Sequence, residues 1–223
     1  MPKLILALHG SVPTDRLHEA RLRTALAGVG VEAVQVNVDD EAVAPAMRFG
    51  PGEPVSALVS LWTGGEPGAA VAVVREAVGD AALDAYRVAE RVRLDPAPVP
   101  DGSRSDVLAQ VALLRRPEQM SHDDYLAYWM LEHTPIAIRT QATSAYIQNI
   151  VEESLTAGSP EIAAIVEEHF PMAAMTDPHA FYGSRGDDAE LNRRITELMA
   201  SVARFGADTG LDLVPTSRYF WSL

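Results

Sequence analysis

The sequence predicts an α+β fold in which two βαββαβ halves on one chain close into a single barrel. Three observations predict it. The stretch DPAPVPDGSRS at 95–105 holds three prolines, a glycine and two serines, and divides the 223 residues into halves of similar length. Strand-period and helix-period segments follow one another in the same order in both halves. Each half also leaves one sheet face without helices, so the two bare faces are expected to pack on each other. The expected boundaries are a half at 1–95, a linker at 96–105 and a half at 106–223.

In the first half, KLILALHG is an apolar strand and DRLHEARLRTALAG a helix ending at glycine. VEAVQVNV follows as a second strand, with Val31, Ala33, Gln35 and Asn37 on one side and Glu32, Val34, Val36 and Val38 on the other. VSALVSLW is a third strand, GAAVAVVREAVG a second helix, and AYRVAERVRL a fourth strand alternating through Tyr86, Val88, Glu90 and Val92.

The second half repeats the order. DVLAQVALL is a strand, 121–141 a helical region and TSAYIQNIV a strand. EIAAIVEEHF admits a helix by its charged pair and length, but Pro160 and Pro171 bracket it and the repeat requires a strand there. A helix follows over 188–206. DLVPTSRYFW closes the chain as an edge-type strand, because Pro215 cannot donate to a ladder.

Composition limits the function. Hydrophobic residues make up 48% and charged residues 22% of the chain, a globular balance. A net charge of −13 argues against nucleic acid and anionic membrane as partners, since both need a concentrated basic surface. No apolar run reaches the ~18 residues of a membrane span, and MPKLILALHGS reads as a first strand rather than a signal peptide. With no cysteine, thiolate metal sites, disulfides and cysteine nucleophiles are excluded. A reducing, cytoplasmic setting is expected.

SHDDYLAYWMLEHTPIAIRTQ at 121–141 carries the strongest candidate chemistry. Ser121 and Asp124 form a capping-box pattern. Tyr125, Trp129 and His133 stand four apart on one face. Thr134 and Pro135 read as the N-cap and first residue of a new helix, which places His133 at a break. There the positive helix end would keep the imidazole neutral, as a general base or acid requires. The competing reading has His133 only tying the break to a carbonyl.

Other candidates have equally plain alternatives. Tyr146 and Gln148 share the helix-covered side of their strand, and Asn149 faces the other way with Ile147. Tyr146 serves equally well as core, and Asn149 as a cross-strand partner. Glu167 and His169 share a strand face, where a carboxylate orients an imidazole or merely pairs with it in solvent. Phe181 and Tyr182 are candidates for a cavity mouth. His133, Glu167, His169 and His179 lack metal-ligand spacing, so no metal is expected.

LLRRPEQMSHDDYLAYWMLEHTPIA followed by YIQNIV resembles the EthD family of the dimeric α+β barrel superfamily. That signature is an arginine at a strand end, a serine-started helix with an aromatic and Trp-x-x-x-His-x-Pro, and a Tyr-x-Gln-Asn strand. Arg115, Ser121, Tyr125, Trp129, His133, Pro135, Tyr146, Gln148 and Asn149 occupy those places, with Glu167 and Phe170 in register further on. The resemblance covers most of 106–223. The first half has no Trp-x-x-x-His, only His18 in its helix, and looks like a degenerate ferredoxin-like copy replacing a second subunit.

The resemblance implies a cofactor-independent enzyme doing acid–base chemistry on a small apolar, aromatic or polyketide-like molecule. Isomerisation, cyclisation, dehydration, decarboxylation and cofactor-free oxygenation all fall in that range. His133 would be catalytic. Tyr125, Trp129, Tyr146, Gln148, Asn149, Glu167, His169 and Tyr182 would line the pocket. The alternatives are a binding or carrier protein and a haem barrel with His133 as ligand. The chain is expected as a monomeric pseudo-dimer or a homodimer.

Overall fold

The computed structural model describes all 223 residues. Its strands are β1 (Lys3–His9), β2 (Val31–Val38), β3 (Val55–Thr63), β4 (Ala82–Leu94), β5 (Leu108–Leu114), β6 (Ala145–Ser154), β7 (Ala164–Phe170) and β8 (Asp212–Ser222). Their order is β1-β3-β2-β8-β5-β7-β6-β4, closing back onto β1, and every pairing is antiparallel. The halves therefore read β4-β1-β3-β2 and β8-β5-β7-β6, joined at β2–β8 and β4–β6. This is the single-chain, pseudo-dimeric α+β barrel that the sequence predicts, and closure removes exposed strand edges. No helix is long and apolar enough to cross a membrane.

Strand alternation sorts side chains between two environments. Leu4, Leu6 and Leu8 of β1 face outward, where they pack with α1 (Thr14–Leu17), α2 (Ala20–Gly28) and α3 (Pro67–Val78) through Leu17, Leu26 and Val74. In the second half, Tyr146 and Val166 pack outward with Tyr125 of α4 (His122–Ala127) and with Leu198 of α7 (Asp188–Arg204), which follows α5 (Thr134–Thr140) and the short α6 (Pro178–Tyr182). Ile5, Tyr86, Val111, Ile165 and Val214 come from both halves and meet inside the barrel. Burying each such side chain is worth about 1.5–3 kcal/mol, so the lumen is itself a core holding the halves together.

Four local expectations are corrected. The first helix is two pieces, because Glu19 is extended (ψ 140°) and the His18 ring packs edge-on to Tyr219 at 4.5 Å. His18 thus caps α1 instead of lying inside a helix. The helical region at 188–206 ends at Arg204. β8 is not an edge strand: β5 pairs with Asp212–Thr216 on one side and β2 with Ser217–Ser222 on the other. Pro215 falls in the stretch paired by β5, ahead of the β2 ladder, so its missing N–H interrupts no two-sided ladder.

The fourth correction concerns His133. Ser121 Oγ does accept from the Asp124 N–H at 3.1 Å, as an N-cap. The chain then continues without a break through a π-helical turn (Tyr128–His133) into α5 (Thr134–Thr140). Thr134 has helical angles (φ −57°, ψ −46°), and its hydroxyl donates to the Trp129 carbonyl at 2.9 Å. Pro135 has no N–H and its ring crowds the carbonyl four residues back. A widened turn absorbs that conflict inside one continuous helix. His133 therefore precedes no fresh helix N-terminus.

Candidate active site in the barrel lumen

Beyond the apolar core of the lumen, one end carries a polar network. Lys3 of β1, Gln35 and Asn37 of β2, Glu90 of β4, Glu167 and His169 of β7, and Thr216 and Arg218 of β8 all belong to the polar end. Each comes from an inward-facing strand position, so closing the barrel brings them together. Gln35, Asn37, Glu167, His169, Thr216 and Arg218 are all under 9% exposed, and Lys3 only 1%. Buried charges of this kind are tolerable only when paired and hydrogen-bonded.

They are paired. Lys3 Nζ donates to Glu90 Oε1 at 2.7 Å, and Trp62 Nε1 donates to Glu90 Oε2 at 2.9 Å. Gln35 Nε2 donates to Glu167 Oε2 at 2.7 Å, while Arg218 Nε donates to Gln35 Oε1 at 2.7 Å. His169 Nε2 lies 2.7 Å from Glu167 Oε1, with Arg218 Nε 3.5 Å from the same oxygen. Asn37 Nδ2 donates to Thr216 Oγ1 at 2.9 Å.

Electrostatics follow from this packing. Burial works to raise the Glu167 carboxyl, but the His169 hydrogen bond and the charges of His169, Arg218 and Lys3 outweigh it and hold the carboxyl at about 2. Glu167 is thus an anion that orients its neighbours. Lys3 shifts the other way: burial lowers its amine below the usual 10.5, against the opposing pull of Glu90 and Glu167.

Above this floor lies a cavity of about 620 Å³. Trp62, Ile147 and Phe220 form apolar walls, and Lys3, Gln35, Glu90, Glu167 and Arg218 form the base. The Trp62 and Phe220 rings meet edge-on at 5.8 Å. Pro96, Pro98, Val99 and Asp101 of the linker cover one side. The linker is fastened along β8, where Gly102 N–H donates to the Phe220 carbonyl and Ser105 N–H to the Arg218 carbonyl, each at 2.8 Å. Gly102 has φ +76°, and a Cβ there would lie 2.6 Å from Trp221 Nε1, so only glycine seats the linker this closely.

The residues singled out in the sequence fall in three places. Glu167, His169 and Asn149 face the lumen side; Asn149 Nδ2 donates to the Ile165 carbonyl at 3.1 Å, and its Oδ1 is unpartnered. Tyr125, Trp129, His133, Tyr146 and Gln148 lie on the opposite side of the sheet, in the layer beneath the helices. There His133 Nδ1 is 3.0 Å from Ser201 Oγ and its ring 4.6 Å from Phe205. Burial alone pushes the imidazole down to about 4. Gln148 Nε2 donates to Thr134 Oγ1 at 2.8 Å, while Gln148 Oε1 and the Tyr125 hydroxyl are buried without partners. Tyr182 borders a third place, an apolar outer cavity of about 300 Å³ shared with Gln110, Met175 and Phe181.

Sequence reasoning missed Lys3, Gln35, Trp62, Glu90 and Arg218 as site residues. Their signal was legible in part: Gln35 and Asn37 share one side of β2, and Glu90 continues the Tyr86–Val88 side of β4. What was missing was the knowledge that these sides turn toward one another.

Fold and site together define a dimeric-type α+β barrel built from one chain, with a charged hollow at one end of the lumen. No family model and no curated protein matches the sequence. Among solved structures, the chain is similar to an anthrone oxidase-like protein, with a TM-score of 0.55 and 10% identity over 99% of this chain and 93% of that one. It is also similar to a candidate monooxygenase from Fusobacterium nucleatum subsp. nucleatum, with a TM-score of 0.53 and 7% identity over 99% of this chain and 94% of that one. At such identities the likeness is one of fold.

Proposed function

We propose that this protein is an EthD-like enzyme, working without a cofactor, that performs acid–base chemistry on a small, largely apolar molecule held in the barrel lumen. One observation carries the reading: a 620 Å³ cavity with aromatic walls stands over a floor where Lys3, Glu90, Glu167 and Arg218 converge. Apolar walls with a few convergent polar groups are the usual make-up of a small-molecule site. Proton transfer needs positioned donors and acceptors in a dry hollow. Glu90 and Lys3 provide such a pair, and the anionic Glu167 holds His169 and Arg218 in place. The names of the two similar structures, an anthrone oxidase-like protein and a candidate monooxygenase, are in keeping with a small aromatic substrate.

The test is titration with small aromatic compounds bearing carbonyl or hydroxyl groups, followed by tryptophan fluorescence. Saturable quenching that disappears in Trp62→Phe supports the reading, as does substrate loss without added cofactor that Glu90→Gln abolishes. Binding without substrate loss would leave a carrier. Absence of any binding that depends on Trp62 sinks the proposal.

A second reading places the chemistry in the helix layer at His133, with Tyr125, Trp129, Tyr146 and Gln148 around it. The unpartnered Tyr125 hydroxyl and Gln148 Oε1 favour it, since buried polar atoms of this kind call for a polar guest. His133→Ala separates the two readings, because only the second requires turnover to vanish.

A further inference from the structure

Of the 18 basic side chains in this chain, 17 are arginine and one is lysine. The single lysine, Lys3, stands in the floor of the lumen cavity. Arginine keeps its proton in proteins and is no nucleophile, whereas a lysine amine becomes one when desolvation favours its neutral form. Burial pushes Lys3 in that direction, against the opposing pull of its Glu90 partner. Lys3 is 1% exposed, its Nζ lies 4.5 Å from the centre of the Trp62 ring, and burial lowers its pKa. It also has a proton acceptor in contact, since Glu90 Oε1 is 2.7 Å from Nζ. Trp62 Nε1 holds the other oxygen of that carboxylate, which fixes its orientation.

We propose that Lys3 forms a Schiff base with the carbonyl of a small aldehyde or ketone bound in the lumen, with Glu90 as its proton partner. This rests on the lumen being the ligand site, and narrows the ligand to a carbonyl compound. The step balances without any oxidant or reductant. Glu90 takes one proton from the ammonium, and the freed amine forms a C–N bond as the carbonyl electrons move to oxygen. A proton passes from nitrogen to that oxygen, giving the carbinolamine. Glu90 then returns its proton as the hydroxyl leaves as water, and the nitrogen lone pair completes the C=N bond. Ammonium and carbonyl have become iminium and water, and the iminium keeps its positive charge beside the Glu90 carboxylate. It draws electrons from the adjoining carbon, so isomerisation, dehydration or decarboxylation gains an electron sink from the chain itself.

A lone lysine makes the test direct. The protein is incubated at pH 7 with butanal and sodium cyanoborohydride, and the adduct is located by peptide mapping. The expected result is a single saturable adduct on Lys3, formed at least tenfold faster than on Nα-acetyl-lysine and slowed at least tenfold in Glu90→Gln. Modification confined to the α-amine of Met1, with Lys3 intact, overturns the proposal. The wild-type map decides even if a Lys3→Arg control fails to fold. Binding that quenches Trp62 but leaves no adduct removes the Schiff base and spares the lumen reading. Neither binding nor adduct removes both.

Discussion

Gln35 Nε2 donates to Glu167 Oε2 across the lumen at 2.7 Å, joining residues 132 positions apart and the two halves of the chain. The same amide accepts from Arg218 through its oxygen, so one neutral side chain bridges a buried acid and a buried base. Every member of this network depends on the others, because a polar group left unpaired in a low-dielectric interior is costly. The polar end of the barrel is therefore both the candidate site and a lock between halves.

Replacing Glu167 should test the lock. Glu167→Gln leaves Arg218 buried without its counter-charge and His169 without its carboxylate partner, and a loss of about 3–5 kcal/mol is expected. Urea denaturation at pH 7 measures it. An unchanged midpoint would mean that the network carries no net stabilisation.

The same carboxyl sets an acid limit. Its folded pKa of about 2 lies below the ordinary 4.5, so the folded state holds its charge to lower pH than the unfolded chain. Its contribution is complete above pH 4.5 and is lost as the pH falls towards 2, by on the order of a few kcal/mol. Denaturant midpoints measured over that window should fall steeply in the wild type and less steeply in Glu167→Gln.

His133 gives the opposite kind of group with the same outcome in acid. Burial holds its folded pKa at about 4, below the ordinary 6.5, so protonation favours the unfolded chain. Stability from this residue is complete above pH 6.5 and declines as the pH falls to 4. The imidazole proton resonance should titrate with a midpoint near 4. His133→Ala should cost about 2–4 kcal/mol through the lost packing on Phe205, and should leave lumen binding intact.

Glu168 points to the helix side of β7, next in register to Tyr146 and Gln110. Burial pushes its carboxyl up to about 8. The folded state keeps this proton longer than the unfolded chain, so stability declines as the pH rises from 4.5 to 8. Glu168→Gln should raise stability at pH 8 to 9 by roughly 1–2 kcal/mol, a figure reduced for its partial exposure. At pH 4 the variant and the wild type should be alike in thermal unfolding.

Gly102 provides a test of the linker as a roof. Gly102→Ala places a Cβ against Trp221 at a position with φ +76°. A cost of about 1–3 kcal/mol is expected from strain alone. Limited proteolysis within 95–105 should speed up and lumen ligands should bind less tightly. Equal protease resistance would show that the linker is not held by this contact.

How much of this was legible beforehand differs between fold and site. The strand β7 was ambiguous from its own residues, since Glu167 and Glu168 spoil any one-sided apolar pattern; the repeat resolved it. The puzzle is explained by the barrel, which gives both faces of β7 a polar position, Glu167 buried in the lumen and Glu168 half-buried on the helix side. The π turn at 128–133 was illegible because Thr-Pro is a helix-start pattern, whereas here a widened turn carries the helix through it.

The sequence by itself determined the α+β class and the acidic, cysteine-free character of the chain, because periodicity and composition are local properties. The tertiary structure alone decided which strand faces meet. Closing the ring at β2–β8 and β4–β6 brought Lys3, Gln35, Glu90, Glu167 and Arg218 together from five strands, and no spacing along a chain encodes a contact made by residues this far apart.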